Sequence, residues 1–142
     1  MRDLTSGLAP VTLLPPAVYA ADNTPVAVDI YGFEAALLAL HVGVGGITFS
    51  GTNKIEFKLT HSDDDSVYTD VVQANIRGAT VAAGGIIKSL IAAHVAPSVT
   101  KIAYLGGKRY LKLLADFSGT HGSGTPISAL VIKGGSRYSQ TA

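Results

Sequence analysis

The stretch "KIEFKLT", residues 54–60, indicates the fold class most directly. Ile55, Phe57 and Leu59 occupy every second position, and Lys or Glu lies between them. Successive side chains of a strand point to opposite faces, so this alternation predicts a strand with one face in a core and the other in water. Such a strand needs neighbours, and the segments on either side of it are expected to supply them.

Clusters of glycine and proline divide the rest of the chain into segments of strand length. These segments are PVAVDIY (25–31), VYTDVV (67–72), VTKIAYL (99–105), RYLKLLADF (109–117) and ISALVIK (127–133). Together with residues 54–60, the N-terminal arm and the two segments discussed next, they make eight or nine strands at short, regular spacing. That spacing is typical of an all-β sandwich or small barrel.

Two segments have residue patterns that suit both a helix and a strand. Residues 33–43, "FEAALLALHVG", have good helix propensity, but their apolar residues lie on every side, and a strand covered on both faces accommodates such a run. We expect a strand there. Residues 86–96 place apolar side chains at helical spacing, and both a short helix and a strand followed by a tail remain open for them.

Residues 1–24 are interpreted as an extended arm or an edge strand preceding a single domain of residues 25–142. Pro10, Pro15 and Pro16 interrupt the apolar stretch, which argues against a signal peptide but is compatible with extended or edge conformations. No uninterrupted apolar run reaches the length of a transmembrane helix.

Composition favours an assembly subunit over a free monomer. Only 15% of the 142 residues are charged and 47% are hydrophobic, so much of the surface is expected to be apolar or neutral. The net charge of +1 and the scattered Lys and Arg predict neither a nucleic-acid partner nor a membrane partner. The chain has no cysteine, which excludes disulfides, thiolate zinc sites and a cysteine nucleophile.

The acidic stretch "SDDDS", residues 62–66, is the first place to look for a metal site. Counted from Asp63 as an EF-hand loop, the fifth, sixth and twelfth positions are Val67, Tyr68 and Ala74, so the calcium motif fails. A looser site of Asp63, Asp65 and Asp70, and with it a small metal-dependent enzyme, is the alternative. Ser and Asp favour turns, so a β-hairpin connection is the preferred interpretation.

No catalytic or cofactor-binding residue is predicted. No two of the four histidines lie within four residues of each other, and no serine lies in a nucleophile elbow. The glycine-rich stretches match neither phosphate-binding motif, and "GTHGSGTP", residues 119–126, is interpreted as a long hairpin loop. The sequence therefore predicts a protein that is not an enzyme and carries no cofactor or metal.

The segment "YLGGKRYLKLL", residues 104–114, combines tyrosines with basic residues. A base-stacking strand is one interpretation. A strand after a Gly-Gly turn is preferred, because no wider basic surface accompanies the three basic side chains.

Over residues 26–135 the chain resembles small virion proteins of tailed bacteriophages, the kind encoded near the major capsid protein. The resemblance rests on Val26 to Ile30 with Gly32-Phe33, on "KLTHSDDDSVYTDV" (58–71), on "IAYLGGKRYLKLL" (102–114) and on "ISALVIKGG" (127–135). It implies a β-sandwich or jelly-roll-like subunit that decorates or stabilises the capsid, acting in the virion after assembly in the bacterial cytoplasm. Implied partners are the major capsid protein or other virion proteins, and further copies in a homo-oligomer.

Interface contacts are expected from the arm and from the tyrosine-rich segment, since Tyr and Arg are enriched where interfaces concentrate binding energy. The residues expected at interfaces are Leu13, Leu14, Pro15, Pro16, Tyr104, Lys108, Arg109 and Tyr110. The alternative function is a carbohydrate- or receptor-binding sandwich of a phage fibre or tail, which the absence of Trp weakens.

Overall fold

The computed structural model describes residues 3–137 and consists of ten strands with two three-residue 3-10 turns, Thr5–Gly7 and Gln73–Asn75. The all-β prediction is confirmed. The strands are β1 (Leu8–Tyr19), β2 (Val28–Asp29), β3 (Phe33–Val42), β4 (Lys54–Ser62), β5 (Thr69–Asp70), β6 (Ile76–Arg77), β7 (Ile86–Leu90), β8 (Ser98–Tyr104), β9 (Tyr110–Ser118) and β10 (Thr125–Ser136). Neither 3-10 turn is long enough to cross a membrane.

The strands form two antiparallel sheets with the strand order of a jelly roll. Sheet A has the order β1-β10-β3-β8-β6, and sheet B has β2-β9-β4, with β5 and β7 both paired to the far edge of β4. The pairs β1/β10, β2/β9, β3/β8 and β4/β7 are nested one inside the next. A long double strand folded over itself in this way is a jelly roll, and every connection except β4–β5 crosses between the sheets.

The core lies between the sheets and follows the alternation seen in the sequence. Ile55, Phe57 and Leu59 of β4 are fully buried, and the Lys and Glu residues between them are partly exposed. Residues 33–42 form a strand as expected, with Leu38 and Leu40 turned into the core. Residues 86–90 are a strand as well, which decides between the two interpretations left open for that segment.

The N-terminal segment forms the edge strand of sheet A. Its residues 8–19 pair with β10, and Leu13 and Leu14 are fully buried in the core. The expectation that these two leucines contact partners at the surface is therefore wrong, because they already pack within the chain. Residues 1–2 of the expected arm and residues 138–142 of the expected domain lie outside the described residues.

The loop of residues 119–124 is not the hairpin that its composition suggested. It leads from β9 in sheet B to β10 in sheet A and so closes one end of the sandwich. The His121 side chain is buried beneath it, with its ring edge-on to Phe117 at 4.7 Å and its Nε2 2.8 Å from the Ser118 carbonyl. A packed crossover explains why this polar segment contains buried residues.

Two predicted strands are much shorter than their apolar patterns suggested. Within residues 25–31 and 67–72, only Val28–Asp29 and Thr69–Asp70 pair as strands. Further along the edge of β9, side chains make the hydrogen bonds to the backbone that a longer β2 would otherwise make. Asn23 Oδ1 accepts the Ala115 N–H and Asn23 Nδ2 donates to the Leu113 carbonyl, while the Asp22 carboxylate accepts the Phe117 N–H. These bonds cover the edge of sheet B, as natural proteins commonly do with exposed edges.

Candidate functional site

The aspartate-rich turn connects β4 to β5, which confirms the hairpin prediction. Asp64 holds the turn, because its carboxylate accepts the backbone N–H groups of Ser66 and Val67 at 2.9 and 3.0 Å. Those hydrogen bonds lower the pKa of Asp64 to about 2. Within residues 3–137, no group of three or more His, Cys, Asp or Glu side chains is placed to hold a metal ion.

A cleft of about 320 Å³ lies at the end of the sandwich where this turn is found, and we call it the end cleft. The β2–β3 turn and the β8–β9 connection form its two walls. Its polar or aromatic lining residues are Tyr31, Phe33, Glu34, Asp63, Tyr104, Lys108, Arg109 and Arg137. The volume is at the lower end of the range for small-molecule sites.

The wall at the β2–β3 turn is fixed by Arg109 and Asp29. The guanidinium donates to both carboxylate oxygens, at 2.9 and 2.7 Å, and it lies over the rings of Tyr31 and Tyr110 at 4.7 and 4.9 Å. The same carboxylate accepts the Tyr31 N–H, so it also shapes the turn. Its bond with Arg109 lowers the pKa of Asp29. Arg109 therefore acts first as a structural clamp that presents Tyr31.

The opposite wall rests on Tyr104. Its ring lies so close to Gly106 that a side chain there would overlap it, and the neighbouring Gly107 has a φ of 71°, a conformation that favours glycine. The Tyr104 hydroxyl accepts the Lys108 N–H at 3.1 Å, which leaves its proton for Nδ1 of the buried His61 at 2.8 Å. Burial, and next the charge of Lys108, lower the pKa of His61, so the imidazole is neutral.

Two wide ion pairs border the cleft. Lys108 Nζ lies 3.9 Å from Asp63 Oδ2, and Arg137 Nε lies 3.7 Å from Glu34 Oε1. Both separations exceed a normal hydrogen bond. By contrast, Lys54 and Glu56 on sheet B are 2.7 Å apart. The end cleft thus presents donors and acceptors that do not fully satisfy each other.

The structure brings together only part of the interface set expected from the sequence. Lys108 and Arg109 line the end cleft, and Tyr110 stacks against Arg109 beside it. Tyr104 also lines it but is only 5% exposed, so it supports the wall and is not the surface contact expected.

The prolines of β1 lie near the opposite end. Pro15 and Pro16 are exposed, and Pro16 borders a shallow apolar groove of about 450 Å³ with Val18, His41 and Pro126. The arm and the tyrosine-rich segment therefore belong to two separate surfaces.

Sequence reasoning missed Tyr31, Glu34 and Arg137, and it considered Asp63 as a turn residue or as part of a metal site with Asp65 and Asp70, but not as part of a cleft. Asp63 is separated by about thirty or more positions from each of the other three, and only the nested strand pairing brings them to one end. One local sequence pattern could have indicated Tyr31. Asp29 lies two positions before it and Gly32 directly after it, as expected for a tight turn that exposes the side chain between them.

The outward faces of the two sheets differ in chemistry. Sheet A presents Leu37, Ala39, Leu130 and Ile132 at its centre, in registered cross-strand pairs, and Leu130 is 40% exposed. The exposed Lys101 of β8 adjoins this group, because it pairs with Ala39. Glu34, at the margin of the sheet, is the single acidic residue in the strands of sheet A.

Sheet B instead carries paired charges on its outward face. Lys54 pairs with Glu56 on β4, and Lys58 of β4 pairs with Asp116 of β9. The centre of the outward face of sheet A is therefore largely apolar, with the exposed Lys101 and Arg77 on the strands beside it, and the outward face of sheet B carries paired charges.

The chain matches no protein-family model, and neither a curated protein nor a solved structure is similar enough to count as a match.

Proposed function

We propose that this chain is a structural subunit of a tailed-phage virion, most specifically a capsid decoration or stabilising protein. The outward face of sheet A carries the proposal. Leu37 and Ile132 lie side by side on it, next to the registered pair of Ala39 and Leu130. Exposed apolar side chains grouped on a sheet face become buried when the subunit docks on a neighbour, and that burial stabilises the docked state.

Three further observations support this role. The sequence resembles small virion proteins, and jelly rolls recur among capsid proteins, although fold alone does not determine function. The paired charges on sheet B suit a face that stays in water. The proposed partners are the major capsid protein or another virion protein, together with further copies of this chain in a homo-oligomer, so that individually weak contacts add up. The role needs no enzymatic activity.

A charge placed on each face tests the proposal. Leu130→Glu puts a carboxylate in the centre of the apolar face, and Leu114→Glu puts the same group on the outward face of sheet B, opposite Lys58. We expect purified particles of the encoding phage to contain the wild-type chain and the Leu114→Glu variant, while Leu130→Glu is lost from them. Quantitative mass spectrometry of the particles measures this.

Circular dichroism would first establish that both variants are folded. Absence of the wild-type chain from particles would overturn the virion role. Equal incorporation of the two variants would overturn the assignment of the docking face.

A further inference from the structure

We propose that the end cleft binds a carbohydrate, a single sugar ring or the end of a glycan chain. This goes beyond the structural role proposed above and does not depend on it. The cleft lies at one end of the sandwich, whereas the proposed docking surface is the outward face of sheet A, so a subunit docked by that face keeps the cleft open.

The charges of the cleft exclude the simpler ligand classes. Lys108, Arg109 and Arg137 line it together with Asp63 and Glu34. A small anion would meet the two carboxylates, and a small cation would meet the three basic groups. A wholly apolar ligand would remove these charges from water without offering them hydrogen bonds, which is costly.

A neutral polyhydroxyl ligand fits the same groups. Each hydroxyl donates one hydrogen bond and accepts others. It can therefore accept from Lys108 Nζ and donate to Asp63 Oδ2, which lie 3.9 Å apart. Lys108 Nζ already donates to Thr69 Oγ1 at 3.1 Å, and an ammonium group has two further N–H donors. The Arg137–Glu34 pair, at 3.7 Å, offers a second such position.

The cleft also offers an aromatic surface for the C–H face of a sugar ring. Tyr31 is 62% exposed, and the centre of its ring lies 4.7 Å from the Arg109 guanidinium, which Asp29 holds in place. A platform fixed in this way loses little conformational entropy on binding. Tyrosine combines an apolar ring with a polar hydroxyl, so it suits a sugar, which combines C–H groups with hydroxyls.

Amide chemical shifts of the full chain, titrated with glucose, galactose and N-acetylglucosamine at millimolar concentrations, test the proposal. We expect at least one sugar to shift the amides of Tyr31, Gly32 and Lys108, while those of His41 and Ser128 in the apolar groove stay unchanged. Asp63→Asn should weaken that binding about tenfold or more, as expected for losing a hydrogen bond to a charged group.

Asp65→Asn is the matched control, because Asp65 lies in the same turn but does not line the cleft. The side chain of Asp63 is 74% exposed, so its replacement should leave the fold intact. The proposal fails if no sugar shifts the cleft amides, if inorganic phosphate or acetate shifts them in place of sugars, or if the two Asn variants bind equally. None of these results bears on whether the chain is found in virions.

Discussion

At the scale of single residues, Gly46 shows how closely two loops meet at the end of the sandwich opposite the end cleft. A Cβ on Gly46 would lie 1.9 Å from the Gly124 carbonyl oxygen, so the β3–β4 and β9–β10 loops touch backbone to backbone. The Gly46 N–H also lies 3.3 Å from Thr125 Oγ1, which is buried. Neither backbone can move away without opening the packed crossover.

We therefore expect Gly46→Ala to lower the free energy of unfolding by about 1–3 kcal/mol, the usual cost of forcing atoms into a packed region. Gly51→Ala is the control, since a Cβ there meets no atom within 4 Å. Urea denaturation of both variants measures the difference. Equal stabilities would mean that the loop contact is easily relaxed.

The buried His61 should make the free energy of unfolding depend on pH, and the direction of its pKa shift fixes the sign of that dependence. Its pKa is lowered, first by burial and then by the Lys108 charge, so below pH 6.5 the unfolded chain takes up a proton that the folded chain does not. The stability from the neutral imidazole is present above pH 6.5 and is lost as the pH falls towards the folded-state pKa. The loss approaches about 1.4 kcal/mol per pH unit while only the unfolded state is protonated.

His61→Gln should remove this component of the acid sensitivity, because Gln does not titrate. Urea denaturation at pH 7.5, 6.5 and 5.5 compares the slopes of wild type and variant. If His61→Gln kept the wild-type slope, burial of the imidazole would not be the source of this acid sensitivity.

At the scale of elements, the Asn23 side chain makes the backbone hydrogen bonds that a neighbouring strand would otherwise make to β9. It makes two hydrogen bonds to the edge of β9, a 2.7 Å bond from the Ala115 N–H and a 3.1 Å bond to the Leu113 carbonyl. Asn23→Ala should cost about 1–3 kcal/mol, since it leaves both backbone groups without their partner. Thr24→Ala, at an exposed neighbouring position, should change stability little.

Hydrogen exchange separates this edge from the rest of the sheet. The Ala115 amide should exchange faster in Asn23→Ala, whereas the Phe117 amide, which bonds to Asp22, should stay protected. Protection of Ala115 in the variant would show that another group covers the edge.

Strand identity could be predicted from the sequence where the side-chain pattern was strong. The alternation in residues 54–60 corresponds to β4, and the mixed run of residues 33–43 corresponds to β3 because both sides of a sheet strand can carry apolar residues. The ends of β2 and β5 could not be predicted, since side chains such as Asn23 replace the ladder there. The end cleft was also missed, because it depends on which strands pair and not on any local pattern.

At the scale of the whole molecule, the first and last strands depend on each other. β1 pairs with β10 over most of its length and contributes Leu13 and Leu14 to the core. In a nested fold the outermost pair closes the sheet, so β1 should be needed for a stable domain. A detachable arm would behave in the opposite way.

Deletion of residues 1–24 should therefore abolish cooperative folding or cause aggregation. It exposes β10 along its length and removes two fully buried leucines, each worth about 2–5 kcal/mol by comparison with truncation to Ala. Deletion of residues 1–7 should leave the unfolding transition nearly unchanged, because residues 3–7 are exposed and lie before β1. Circular dichroism, thermal unfolding and size-exclusion chromatography compare the two. A folded, monomeric protein that lacks residues 1–24 would show instead that β10 can end the sheet alone, and residues 8–19 would then be free to pair with a neighbouring subunit.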